Sequence, residues 1–156
     1  MPAIPTLVIG CGNQLRTDDG VGPAAAGIVE SWHTPGIKVR IVQQLLPELI
    51  DEMANVDRIL FLDAAINQQD CPFRLVAVEP RKSNRILGHH ATPASLLALL
   101  RELNGNQPEA FLLTISASSF EHGAELKTCT QENLQAALLE ITRWIQAPRS
   151  SIGTPE

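Results

Sequence analysis

The segment Arg58-Ile59-Leu60-Phe61-Leu62-Asp63 sets four large apolar residues in succession and closes them on an aspartate. A run this short and continuous predicts a strand covered on both faces, at the centre of a sheet. Thr6-Leu7-Val8-Ile9, ended by Gly10, has the same character and predicts a first buried strand. Lys38 to Val42 alternates charged and β-branched residues and suits a second strand nearer an edge. Phe73 to Glu79, bounded by Pro72 and Pro80, predicts a more exposed strand, and Ala110 to Ile115 the last one.

Helical signals fall between these runs. Val21 to Trp32 carries Pro23 in its first turn, and Leu46-Pro47-Glu48 opens a second helix reaching about Ala54. Thr92-Pro93 is a helix start, with Thr92 as N-cap, and Asn104-Gly105 a stop. Thr128 or Thr130 is expected to cap a long helix from Gln131 to Gln146, with Leu134, Leu138, Ile141 and Ile145 on one face. This alternation predicts an α/β fold: one domain over residues 1–148, a twisted, mostly parallel sheet with helices on both faces, followed by a polar tail at 149–156. A chain of 156 residues, 44% hydrophobic, is expected to bury a self-sufficient core.

A formal charge of −5 leaves no broad basic field for nucleic acid or an anionic membrane surface. No apolar run approaches the ~20 residues that span a bilayer, and Met1 to Pro5 lacks the pattern of a signal peptide, so a cytoplasmic location is expected. Cys11, Cys71 and Cys129 are odd in number and widely spaced, which fits reduced thiols; Cys11 is expected to be a small packed thiol, not a nucleophile.

In open α/β sheets the working residues gather beyond the carboxyl ends of the strands, near the point where strand order reverses. A flavodoxin-like order would set strands one and three side by side and bring Asp18 and Asp19, after the first strand, towards Asp63. The plainer reading makes Asp18 or Asp19 a cap for the next helix. Asp63 at a buried strand end needs a cation or donors. His89 and His90 precede the Thr92-Pro93 helix start, and imidazole with carboxylate oxygens suits zinc, nickel or a similar divalent ion. Gly10-x-Gly12 also invites a dinucleotide reading. The fingerprint fails at Leu15, and Asp18 and Asp19 would repel a pyrophosphate.

The set Gly10-x-Gly12-Asn13-x-Leu15-x-x-Asp18-Asp19-Gly20-x-Gly22, with Leu45-Leu46-Pro47-Glu48, Asp57-Arg58, Leu62-Asp63-Ala64 and His89-His90-x-x-Pro93, resembles the nickel-iron hydrogenase maturation endopeptidases. The resemblance runs from about Leu7 through the C-terminal helix. It implies one α/β domain that removes a C-terminal extension from the hydrogenase large-subunit precursor once nickel is inserted. It places the family's two acidic metal-contacting positions on Asp19 and Asp63 and its histidine on His90, with Asp18 and His89 as neighbours. The metal implied is the substrate's own nickel, with no organic cofactor. Leu112 to Ile115 with Ser119-Phe120-Glu121-x-Gly123 looks most like members serving NAD(P)-linked bidirectional hydrogenases, although Ser116 and Ser118 stand where proline and glycine are expected.

With no Ser or Cys nucleophile in evidence, peptide cleavage needs a metal or a carboxylate to polarise the carbonyl or activate water, and either Asp19 or Asp63 could be the base. Two rivals remain. A phospho-acceptor receiver domain also has acidic residues after its first strand and an aspartate ending its third, but carries a lysine after its last strand where Ser116 stands here. A non-catalytic chaperone binding nickel or the precursor would use the same ligands.

Overall fold

The computed structural model describes residues 4–66, 68, 70–82, 91–118 and 126–147. Its elements run β1 (Thr6–Cys11), α1 (Val21–Ser31), β2 (Ile37–Val42), α2 (Ile50–Met53), β3 (Arg58–Ala65), β4 (Phe73–Ala77), α3 (Pro93–Asn104), β5 (Glu109–Ser116) and α4 (Thr128–Gln146). The strands form one sheet in the order β2-β1-β3-β5-β4. All neighbours are parallel except β4, which lies antiparallel on β5. The expected α/β sheet with β1 beside β3 is therefore present. The departure from a flavodoxin-like order is that β5 enters between β3 and the antiparallel edge strand.

Alternating side chains divide the core in two. Val8, Leu60, Leu62, Leu113 and Ile115 meet α1 and α4 on one face. Leu7, Ile9, Ile59 and Phe61 meet α2 and α3 on the other. Both faces of β1 and β3 are thus apolar, which is why these strands read as unbroken hydrophobic runs. In β2, at the edge, no position is buried, and half-buried and exposed residues alternate from Ile37 to Arg40.

Several local expectations shift by a turn. The second helix begins as a 3-10 turn at Pro47–Leu49 and continues for only the four residues of α2. Thr92 caps α3 in a reciprocal capping box with Ser95, and Gly105 ends it in the left-handed region at φ 73°. Neither Thr128 nor Thr130 caps α4; Lys127 holds that position without a side-chain bond. Asp63 does not terminate its strand, since β3 pairs with β5 as far as Ala65. The tail at 149–156 lies outside the described residues.

Two contacts fix helices on the α1/α4 face. Arg58, buried at the start of β3, donates from Nε to Thr6 Oγ1 at 2.8 Å and from its terminal nitrogens to the carbonyls of Trp144, Ile145 and Ala147 at 2.7–3.1 Å. It thereby satisfies the last carbonyls of α4, and its guanidinium lies 4.5 Å from the centroid of the Trp144 ring. The second contact is the approach of α1 to the sheet. A Cβ on Gly22 would stand 2.5 Å from the Cys11 carbonyl oxygen and 2.7 Å from that of Leu62, and one on Gly10 would stand 2.5 Å from Ala26 Cβ. The glycines that suggest a phosphate loop are used for packing.

Gly22→Ala tests this packing, because the atoms it would strike are backbone and cannot rotate away. The substitution should destabilise the protein by about 1–3 kcal/mol, read as a lower urea midpoint at unchanged m-value. A midpoint equal to the parent's would mean that α1 does not rest on β1 and β3 this closely.

Candidate active site

The loop between β1 and α1 folds back through Gly12, whose φ of +152° and contact with the Asp19 carbonyl leave no room for a side chain. Thr17 takes a φ of 40°, an unfavourable conformation for a β-branched residue. It opens the short 3-10 turn Thr17–Gly20, which carries both aspartates. Neither aspartate caps α1, whose N-cap is Gly20 without a side-chain bond.

The two carboxylates point to different tasks. Asp18 has no exposed surface. Its Oδ2 accepts from the Thr130 hydroxyl at 2.6 Å, the Ser118 hydroxyl at 2.7 Å and the Ser118 N–H at 2.8 Å, while Oδ1 accepts from the Lys127 N–H at 2.8 Å. Burial alone would raise the Asp18 pKa, but these donors together outweigh it and hold the carboxyl below its usual range. Asp18 is therefore a structural tie between the β1 loop, the exit of β5 and the first turn of α4. It also explains Thr130, whose hydroxyl serves this carboxylate, and Ser118, which supplies two donors where proline or glycine is expected. Ser116 likewise spends its hydroxyl on the chain around Gln68 and Cys71.

Asp19, one residue on, is only half-buried, and its Oδ2 accepts from the Asn13 N–H at 2.9 Å. Asp63 projects from the α2/α3 side of β3, as the alternation with Ile59 and Phe61 requires. Its Oδ1 accepts from the Ala64 N–H at 2.8 Å. Burial chiefly pushes the Asp63 carboxyl up, to about 6, against the Ala64 bond and with the help of the Asp19 charge. The two carboxylates expected to converge are thus close enough to repel each other. Cys11 lies in the same cluster: burial first, then the charges of Asp63 and Asp19, push its thiol to about 11. The thiol stays protonated at neutral pH, and its Sγ lies 3.8 Å from the Gln43 carbonyl oxygen.

His89 and His90 lie outside the described residues, as do Ser119, Phe120, Glu121 and Gly123. Among the described residues no three His, Cys, Asp or Glu side chains form a metal-ligand group. The helix that follows the histidines is well placed relative to the carboxylates. The C-terminal end of α3 lies at the amino edge of the sheet, where the Asn106 amide donates to the Ala54 carbonyl and the Glu109 N–H to that of Asp57. Its capped first turn therefore faces the carboxyl edge, on the same side of the sheet as Asp63.

No family model matches the chain. It is 24% identical over 142 residues to the Hydrogenase 2 maturation protease of Escherichia coli (strain K12), an alignment covering 86% of this chain and 87% of that protein. It superposes on the hydrogenase maturating endopeptidase HybD from E. coli with a TM-score of 0.71 and 20% identity, over 91% of this chain and 92% of the other. A [NiFe] hydrogenase maturation protease, HycI from Thermococcus kodakarensis KOD1, matches with a TM-score of 0.69 and 18% identity, over 92% and 94%. The single-domain fold is the fold of these maturation proteases.

Asp63 and Asp18 should respond oppositely to neutralisation. A folded-state pKa of about 6 for Asp63, against an ordinary 3.8, means that its destabilisation is absent below pH 3.8 and complete above about pH 6. Asp63→Asn should therefore stabilise the protein at pH 8 by about 1–3 kcal/mol. For Asp18 the pKa is lowered, so its contribution is complete above pH 3.8 and lost as pH falls through the folded value. Asp18→Asn should cost about 2 kcal/mol or more at pH 8, since an amide cannot accept from all those donors. Urea unfolding at pH 8 checks both, and equal signs for the two variants would contradict the division of roles.

Proposed function

We propose that the chain is an endopeptidase that removes the C-terminal extension of a nickel-iron hydrogenase large subunit after nickel insertion. The observation that supports this reading is that β1 and β3 are parallel neighbours, so the loop carrying Asp19 and the strand carrying Asp63 lie at the same edge of the sheet, within electrostatic reach of each other. Burial chiefly raises the Asp63 pKa, and the Asp19 charge adds to it. The 24% identical relative, matched along most of both chains, is itself a hydrogenase maturation protease.

Two carboxylates in a partly buried cluster favour a dication between them over two bare negative charges. The dication is the nickel that the precursor already carries, with His90 as the third protein ligand. Held there, it presents the scissile peptide to the carboxylates and polarises its carbonyl or an attacking water. Either carboxylate, Asp19 or Asp63, could accept that water's proton. A nucleophilic role for Cys11 is disfavoured, because its thiol titrates near 11.

The reading places the enzyme in the cytoplasm, in keeping with Cys11, Cys71 and Cys129 all being free thiols; no described helix is long and apolar enough to cross a membrane. Leu112 to Ile115 and the Ser119-Phe120-Glu121 segment favour a bidirectional NAD(P)-linked hydrogenase as the source of the precursor.

The test is incubation of purified protein with nickel-loaded precursor, followed by mass measurement of the large subunit. A truncated product is expected, and Asp19→Ala and His90→Ala should each lower its rate at least about 100-fold while leaving the circular dichroism spectrum unchanged. Binding of the precursor without truncation would favour a chaperone. Near-normal truncation by either folded variant would remove that residue from the site.

A further inference from the structure

The motif Leu45-Leu46-Pro47-Glu48 has no part in the reaction as described, yet its Leu46 and Glu48 line a cleft at the end of β2. Val42, Leu46 and Leu49 give this cleft of about 270 Å³ its apolar lining, and the exposed Gln43, Gln44 and Glu48 stand around them. Arg40 also lines it but is held by Glu52 at 3.2 Å.

The sheet places this cleft in line with the candidate site. Val42 pairs in register with Cys11, and Gly10 with Leu62, so Val42, Cys11 and Asp63 form a row across β2, β1 and β3. Cys11 and Val42 both pack on the α2/α3 core, the side from which Asp63 projects. The backbone ties the cleft to the catalytic loop, with the Gly12 N–H donating to the Val42 carbonyl at 3.1 Å. Strands lie about 4.8 Å apart, so two steps put the cleft about 10 Å from Asp63, which an extended peptide covers in two to three residues.

We infer that this cleft is the specificity subsite of the processing reaction, receiving one apolar side chain of the precursor that lies two to three residues from the scissile bond. The inference rests on the endopeptidase reading. The cleft is smaller than the roughly 300–1,000 Å³ of pockets that enclose a whole small-molecule ligand, and its size suits a single side chain. The Gln43 and Gln44 carboxamides can donate to and accept from the main chain of a peptide crossing the rim. The Glu48 carboxylate disfavours an acidic residue there.

The experiment uses full-length nickel-loaded precursor in which each of the three residues on either side of the cut is changed singly to Asp. With the parent enzyme, one position two or three residues from the cut should show KM raised about tenfold or more, with kcat little changed. Leu46→Lys should raise KM for the native precursor and reverse the preference in favour of the Asp-bearing one. Gln44→Trp, at an exposed position, should also raise KM by filling the cleft, and it guards against misfolding of the Leu46 variant. Parental KM in both folded variants would overturn the subsite, as would a change of oligomeric state at unchanged KM, which would assign the cleft to contact between copies of the chain. Failure of the parent enzyme to cut any nickel-loaded precursor is a separate result, and it would remove the endopeptidase reading together with the subsite.

Discussion

A carboxylate withdrawn from water is strongly destabilising unless donors replace the solvent it has lost. Asp18 meets that condition with donors drawn from distant parts of the chain: Ser118 at the exit of β5, Lys127 at the cap of α4 and Thr130 in its first turn. The arrangement fixes the loop after β1 against the opposite end of the sequence. Asp19 follows directly in the same 3-10 turn, so its position depends on that anchorage. The residue placed beside the candidate ligand sets the geometry, and the ligand itself remains half-exposed and able to meet a cation.

The approach of α1 to the sheet serves the same end. With glycine at 10 and 22, the helix sits against the carbonyls of Cys11 and Leu62, the residues on which the two strands open into the site. Carboxylates supplied by two adjacent parallel strands, held by a rigid loop and a close helix, can be kept near one another despite their repulsion. The raised pKa of Asp63 records part of that electrostatic strain. On the proposed function, a metal arriving with the substrate would relieve this repulsion.

Much of this was legible in the sequence because the signals were local. The apolar runs of β1 and β3, the Thr92-Pro93 start of α3 and the glycine stop at Gly105 each act through a few neighbouring residues. The apolar run before Asp63 likewise announces a strand buried on both faces, although the strand continues past Asp63 to Ala65. What could not be read depends on contacts far apart in the chain. Nothing local distinguishes Asp18 from Asp19, and only the fold shows that the first meets Thr130 while the second stays half-buried with the Asn13 N–H. The cap of α4 was misassigned for the same reason, since the Thr130 hydroxyl is committed to a partner more than a hundred residues away. The insertion of β5 beside β3 and the role of Arg58 at the end of α4 are likewise tertiary facts, without a local pattern to announce them.

In the proposed reaction the metal that completes the site comes with the substrate. The direct measurement is the rate of truncation of nickel-loaded and nickel-free precursor by enzyme stripped with a chelator that is then removed. The proposed partial ligand set of Asp19, Asp63 and His90 predicts cleavage of the nickel-loaded form at the rate of untreated enzyme and no cleavage of the nickel-free form. Equal cleavage of both forms, or activity that returns only when zinc is added to the stripped enzyme, would contradict it.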